Sequence, residues 1–550
     1  MMKKIISVLL AVFMLFTVMA PCASAVSSRG NIPVVYIRGN GEEIYGPDGK
    51  KVPATFNDLE LGGEEGLDKD AIVDACVNVI KPFVAEGLIF DKWDNYGKAL
   101  YEEIQPLFEG AQLDGNGDSL PGVGMHWESV WSNENSCNVA RSSYGLWDYQ
   151  FHYDWRLDPY DHVDALHTYI EKVSAANGNK KVAIYVRCFG GSLAVAYLEK
   201  YGDRGLVDKV MFDATLNNGA AVINDTFSGK IEFKSSRLQQ YMAQLEQCDY
   251  YNVGVGLTLE GIVNEVVFKT MDLFTQTGTA DALFDGIEDL YTKLYKALMP
   301  ALCFATGLAT QANYWTCVYE EDFDAAMKLM FGSKEAREAY PGLIEKIKHY
   351  REKVTSQGDA LYKKFAEEYG VKIGTIAKYG YMNMPIGYSA NEPSDALVSL
   401  EDGSLGATVA PIGKTLSAAY LASADPKYVS ADKMVDTSTC LFPETTWIIK
   451  NAHHNFFELD DVIAQAFFFD NATIDNDLGL PQFMRFYEDT RSYEPMTEDN
   501  CGDYEWYSIA EAKPTTESIL VSMMRWFRMI FEIITQILKG EFEIGNIIKK

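Results

Sequence analysis

Short, fully apolar runs alternate with longer segments of helical spacing along the first part of the chain. Pro33-Val34-Val35-Tyr36-Ile37 reads as a buried strand that breaks at the turn Arg38-Gly39-Asn40-Gly41. Residues 69–110 carry helical spacing with polar interruptions, and 149-YQFHYDWRLDP-159 reads as a strand closed by Asp158-Pro159. Val163, Leu166, Ile170 and Val173 then share one face of a helix predicted over 161–175, with Asn177-Gly178-Asn179 closing it. Val182–Val186 and 207-VDKVMFDA-214 are two more apolar runs, separated by a helical stretch. A strand without polar alternation must be covered on both faces, which is the habit of a parallel sheet. The predicted class is therefore α/β, a mostly parallel sheet with helices on both faces.

The pattern changes near residue 220. Strand signals stop, and helix-period segments such as Leu283–Ala309, Asp322–Met330 and Leu343–Lys353 dominate up to about 370. Strands resume at 371-VKIGTIAKYG-380 and 445-TTWIIKN-451. The implied organisation is a leader over 1–25, core over 26–219 and 371–470, a helical cap insertion over 220–370, and a C-terminal extension over 471–550. In that extension, Ser522, Arg525, Arg528, Glu532 and Gln536 form one narrow polar stripe on an otherwise apolar helix spanning 519–538. Two arginines and a glutamate argue against a membrane span. The stripe suits contact with a membrane surface, self-association, or packing on the body of the protein.

Composition narrows the picture. Lys3 and Lys4, an apolar run, and Ala23-Ser24-Ala25 make the pattern of a bacterial secretory signal peptide cleaved before Val26. Pro21 beside Cys22 is a poor match to a lipoprotein site. The expected location is secreted or at the cell surface. A net charge of −30 argues against nucleic acid and anionic lipid as partners. Eight cysteines follow the leader, at 76, 137, 188, 248, 303, 317, 440 and 501, with no CxxC pair, so neither a zinc site nor a disulfide scaffold is indicated.

The stretch 181-KVAIYVRCFGGSLAVAYLEKYG-202 is the chemically informative one. A strand, a tight turn with small residues and a helix make the layout of a nucleophile elbow, whose usual form is G-x-S-x-G. Here Cys188 takes the nucleophile position, Gly190 and Gly191 follow it, and Val186 stands where the first glycine is common. Ser192 is the rival, but it lies about one turn into the helix, where its hydroxyl should face packing. Arg187, beside the cysteine, either stays near the sulfur or turns to solvent.

Together with Tyr153-Asp154-Trp155-Arg156-Leu157-Asp158-Pro159, the turn at 38–41 and Ala214-Thr215-Leu216-Asn217-Asn218-Gly219, this elbow resembles the lecithin:cholesterol acyltransferase-like group of α/β-hydrolases. The likeness covers roughly residues 30–220 and 370–460. That group usually has serine at the elbow and His-Gly or Pro-Gly at the opening turn, where this chain has cysteine and Arg38-Gly39. The resemblance implies an acid and then a histidine downstream of the nucleophile. Of the three downstream histidines, His349 sits on a charged helical face, while His453 and His454 follow a strand, where the group's histidine loop belongs; His454 is favoured. Asp395 is the favoured acid, because 393-PSDALVSLEDGS-404 resembles the group's block after the seventh strand. Asp432 is the alternative, and Asp402 and Asp436 have weaker claims. An oxyanion hole would use the backbone N–H groups of Phe189 and Asn40.

The expected function is an exported esterase, lipase or acyltransferase that acts on a small-molecule or lipid ester through Cys188, His454 and Asp395. No metal or cofactor is called for. The competing expectation is an inactive scaffold of the same fold that binds at the cell surface. A phosphatase loop is excluded by Ala194 in place of arginine, and a dinucleotide site by the lack of G-x-G-x-x-G after the first strand.

Overall fold

The computed structural model describes residues 32–54, 92–125, 147–231 and 295–502, apart from isolated positions within those ranges, together with Asn78 and Arg237. The leader expected over 1–25, the helix expected over 519–538, and Cys76, Cys137 and Cys248 lie outside the described residues, as do the start of the segment at 283–309 and most of that at 69–110.

Eight strands form one sheet: β1 Val34–Ile37, β2 Tyr149–Phe151, β3 Val182–Arg187, β4 Val207–Asp213, β5 Lys372–Tyr379, β6 Thr446–Lys450, β7 Phe483–Tyr487 and β8 Ser492–Pro495. Their spatial order is β8-β7-β6-β5-β4-β3-β1-β2. Every neighbouring pair is parallel except β7–β8, which is antiparallel. The chain leaves β1 towards β2 on one side and returns to β3 on the other, so the order reverses at the β1/β3 boundary. In open α/β sheets a crevice forms outside the carboxyl ends of the strands at such a boundary.

The two faces of the sheet are covered by different helices. Val35, Ile37, Val182, Ile184, Val186, Val210 and Phe212 point into one apolar core with helices α1 Val163–Ala176 and α2 Gly190–Tyr201. Val34, Tyr36, Ala183, Tyr185 and Met211 point to the other, against helix α3 Asp460–Asp470. This alternation explains the uninterrupted apolar runs, since each pleat face buries its own residues.

Several boundaries differ from the sequence reading. The strand expected over 149–159 ends at Phe151, because Asp154 and Arg156 turn inward as a buried pair 2.6 Å apart, with Arg156 Nη1 also donating to the Ala111 carbonyl. The sheet continues through β7 and β8, past the core boundary expected at residue 470. In the region assigned to a cap, the helices Pro341–Lys353 and Asp359–Glu367 join the same apolar core as α1 and α2. Among the described residues, no helix is long and apolar enough to cross a membrane.

Candidate functional site

The turn after β3 is held in an unusual conformation. Cys188 has φ +50°, a left-handed backbone that costs a residue with a Cβ about 1–2 kcal/mol. Two glycines make this turn possible. A Cβ on Gly39 would lie 2.5 Å from Cys188 Cβ, and one on Gly190 would lie 2.7 Å from the Ile37 carbonyl oxygen. The end of β1 and the start of α2 therefore clamp the cysteine from both sides. Strain maintained by such packing is the kind found at functional turns.

His454 lies in the loop after β6, and Asp395 in the loop region after β5. The Asp395 carboxylate receives His454 Nδ1 at 2.8 Å and also accepts the Leu397 and Val398 amides at 3.0 and 2.7 Å. The His454 amide donates to the Asp395 carbonyl at 2.9 Å, so the two loops are tied by backbone as well as side chain. Burial opposes a charge on His454. The Asp395 carboxylate outweighs it, Cys188 adds to the effect by charge and hydrogen bonding, and the imidazole is lifted to about 10. Burial also opposes a charge on Asp395, but the His454 imidazolium and the Val398 amide hold its carboxyl below the ordinary range.

The other sequence candidates are occupied elsewhere. His453 packs edge-on against Tyr381 and Phe456, and burial with the neighbouring His454 charge pushes it down to about 3. His349 is exposed and meets Tyr160 edge-on. Asp432 pairs with Lys450 at 2.8 Å and accepts the Tyr379 hydroxyl at 2.6 Å. Asp402 accepts the Tyr319 hydroxyl, and Asp436 that of Tyr420. The Ser192 hydroxyl is fully buried, 2.8 Å from the Phe189 carbonyl and 2.7 Å from Asn313 Oδ1, which agrees with the expected inward direction.

The Arg187 side chain does not turn to solvent. It is buried against Asp213 at 2.6 Å, the Tyr185 hydroxyl at 2.6 Å and Asp461 at 3.1 Å. Lys378 and Asp460, 2.5 Å apart, extend this charged layer beneath the strand ends. Burial and the Asp213 charge push Asp460 up to about 7. Sequence reading missed the layer, although Lys378, Asp213 and Arg187 each stand out as a charge in an apolar strand.

Two cavities meet at the cysteine. One, of about 380 Å³, is lined by Arg38, Asn40, Arg187, Asp213, His454 and Asn455, among others. The second, of about 280 Å³, is largely apolar, with Phe189, Leu216, Ile223, Leu308 and Tyr314 in its wall. Cys188 and Asn40 belong to both. Asn40 thus sits on the turn after β1 at the junction. Phe189 stands just before α2, where the first helix amides lack intrahelical acceptors. Cys188, Cys303, Cys317, Cys440 and Cys501 are free thiols. Among the described residues, no group of three or more His, Cys, Asp or Glu side chains could hold a metal ion.

A sulfur on a strained turn, an imidazole bound by a buried carboxylate, and backbone donors at a helix start are together able to form and break an acyl thioester. No family model, no curated protein and no solved structure matches this chain.

Proposed function

We propose that the chain is a cysteine-dependent acyl-transfer enzyme built on an α/β-hydrolase core, an esterase, lipase or acyltransferase. The observation that carries this reading is His454, bound at Nδ1 by Asp395 at 2.8 Å and lining one cavity with Cys188, beyond the carboxyl ends of parallel strands.

In the reacting state the proton rests on His454 and the Cys188 sulfur is the nucleophile. The sulfur attacks the ester carbonyl carbon, and the electron pair of the C=O bond moves onto oxygen. The Phe189 and Asn40 amides receive that oxyanion. Collapse of the tetrahedral species breaks the bond to the leaving alkoxide, which takes the His454 proton and departs as an alcohol. In the second half, water or an acceptor alcohol gives its proton to His454 as it attacks the thioester carbonyl, and the thiolate is expelled. Asp395 orients the ring and stabilises its charged form throughout. The apolar cavity suits the acyl chain, where each buried methylene contributes about 0.8 kcal/mol. Segment 295–315, which supplies Leu308 and Tyr314 to that cavity, plays the part of a cap in this reading. The leader at 1–25 fits an exported enzyme.

The test is acylation of the protein by a butyryl ester probe, read by intact mass and peptide mapping. The expected result is one butyryl group on Cys188, absent in Cys188→Ala and strongly slowed in His454→Gln. Labelling that persists in Cys188→Ala would remove the sulfur from the chemistry. A folded protein that is never labelled would leave the fold as a binding scaffold.

A further inference from the structure

Arg38 is the first residue after β1 and lines the polar cavity beside Cys188. It is half-buried. The chain carries 78 acidic residues against 48 lysines and arginines, so carboxylates outnumber their partners. Yet no hydrogen bond or ion pair engages the Arg38 guanidinium among the described residues. The neighbouring charges in the cavity are already committed: Arg187 and Asp213 hold each other at 2.6 Å, and His454 is bound by Asp395 at 2.8 Å. Among the described residues, Arg38 is thus the uncommitted charge of the cavity. A guanidinium partly withdrawn from water without an acceptor is costly in the free protein, and the cost is removed when an anion binds.

The position of the cavity decides which part of a substrate meets this charge. Cys188 and Asn40 are common to both cavities, so the reacting carbonyl sits at their junction. If the acyl chain fills the apolar side, the leaving group falls on the polar side, towards Arg38. We propose that Arg38 is a specificity-determining residue that recognises an anionic group, a carboxylate or a phosphate, on the leaving-group side of the scissile ester. This rests on the acyl-transfer reading above. The planar fork of arginine binds both anions with two parallel hydrogen bonds, which lysine does not reproduce.

Three butyryl esters test this at one fixed ionic strength: those of 4-hydroxybenzoate, 4-hydroxyphenyl phosphate and the uncharged 4-hydroxybenzamide. The expected wild-type kcat/KM is about tenfold or more higher for at least one anionic ester than for the amide, the size of one charge-assisted pair. Which anionic ester leads identifies the group recognised. In Arg38→Gln that ratio should fall to near one, in Arg38→Lys it should be partly kept, and in Arg38→Glu it should invert. Turnover of all three esters with ratios indifferent to residue 38 would overturn the assignment and leave the acyl-transfer reading standing. Failure of all three to acylate folded wild-type protein would overturn both. Circular dichroism of each variant checks that it is folded.

Discussion

At the scale of single residues, the cysteine turn exchanges stability for geometry. With φ at +50°, Cys188 occupies a conformation in which glycine is unstrained. Cys188→Gly and Cys188→Ala both remove the sulfur and differ only in a methyl group, so comparing them isolates the backbone strain. Cys188→Gly should be the more stable by about 1 kcal/mol in urea unfolding. Equal stabilities would mean that the turn is not strained in solution. The two adjacent histidines should act on stability in opposite senses. His454 is raised to about 10, so its contribution is whole below the ordinary value of about 6.5 and is lost as pH rises towards 10. His453 is pushed down to about 3, so its contribution is whole above about 6.5 and is lost as pH falls towards 3. His454→Gln should therefore flatten the alkaline decline of Tm, and His453→Phe the acid decline. A profile that stays the same in both variants would contradict these assignments. The choice between the histidines was favoured but not settled by sequence, because both follow the same strand. The choice between Asp395 and Asp432 was equally local. What separates them is Lys450 and Tyr379, which occupy Asp432 from positions distant in sequence.

At the scale of elements, the site depends on β1 ending against the start of α2. A Cβ on Gly190 would meet the Ile37 and Arg38 carbonyl oxygens at 2.7 and 3.1 Å, and backbone on that side cannot rotate away. Gly190→Ala should cost about 1–3 kcal/mol in urea unfolding and abolish acylation of Cys188. Gly124→Ala, where a Cβ has open space, should stay within about 0.5 kcal/mol of wild type and serves as the control. A Gly190→Ala protein as stable as that control would show that the clamp is loose. Five of the six strands from Val34 to Lys450, all but β2, were legible as largely apolar runs because they are buried on both faces. β7 and β8 were not, for a physical reason. β7 alternates half-buried and buried positions, and β8 is a largely exposed edge ending in proline, so neither carries the continuous apolar signal. The strand expected through Asp158 failed because a buried ion pair, Asp154 with Arg156, replaces ladder bonds there.

At the scale of the whole molecule, the net charge of −30 and the proposed anion preference act against each other at different ranges. An anionic ester approaching the protein meets a repulsive field that extends over a Debye length, about 30 Å at 0.01 M salt and about 8 Å at 0.15 M. Contact with Arg38 is made at hydrogen-bond distance in a partly enclosed cavity, where added salt screens far less. Raising ionic strength across that interval should therefore increase kcat/KM for the anionic esters by about two- to fivefold, through faster encounter. The uncharged ester should be unchanged. The same rise is expected in Arg38→Gln, because the field belongs to the whole surface and not to one residue. If kcat/KM for the anionic esters instead fell with salt in the wild type and not in Arg38→Gln, the local charge would dominate the approach as well as the binding. The acidic surface would then be electrically remote from the mouth of the cavity.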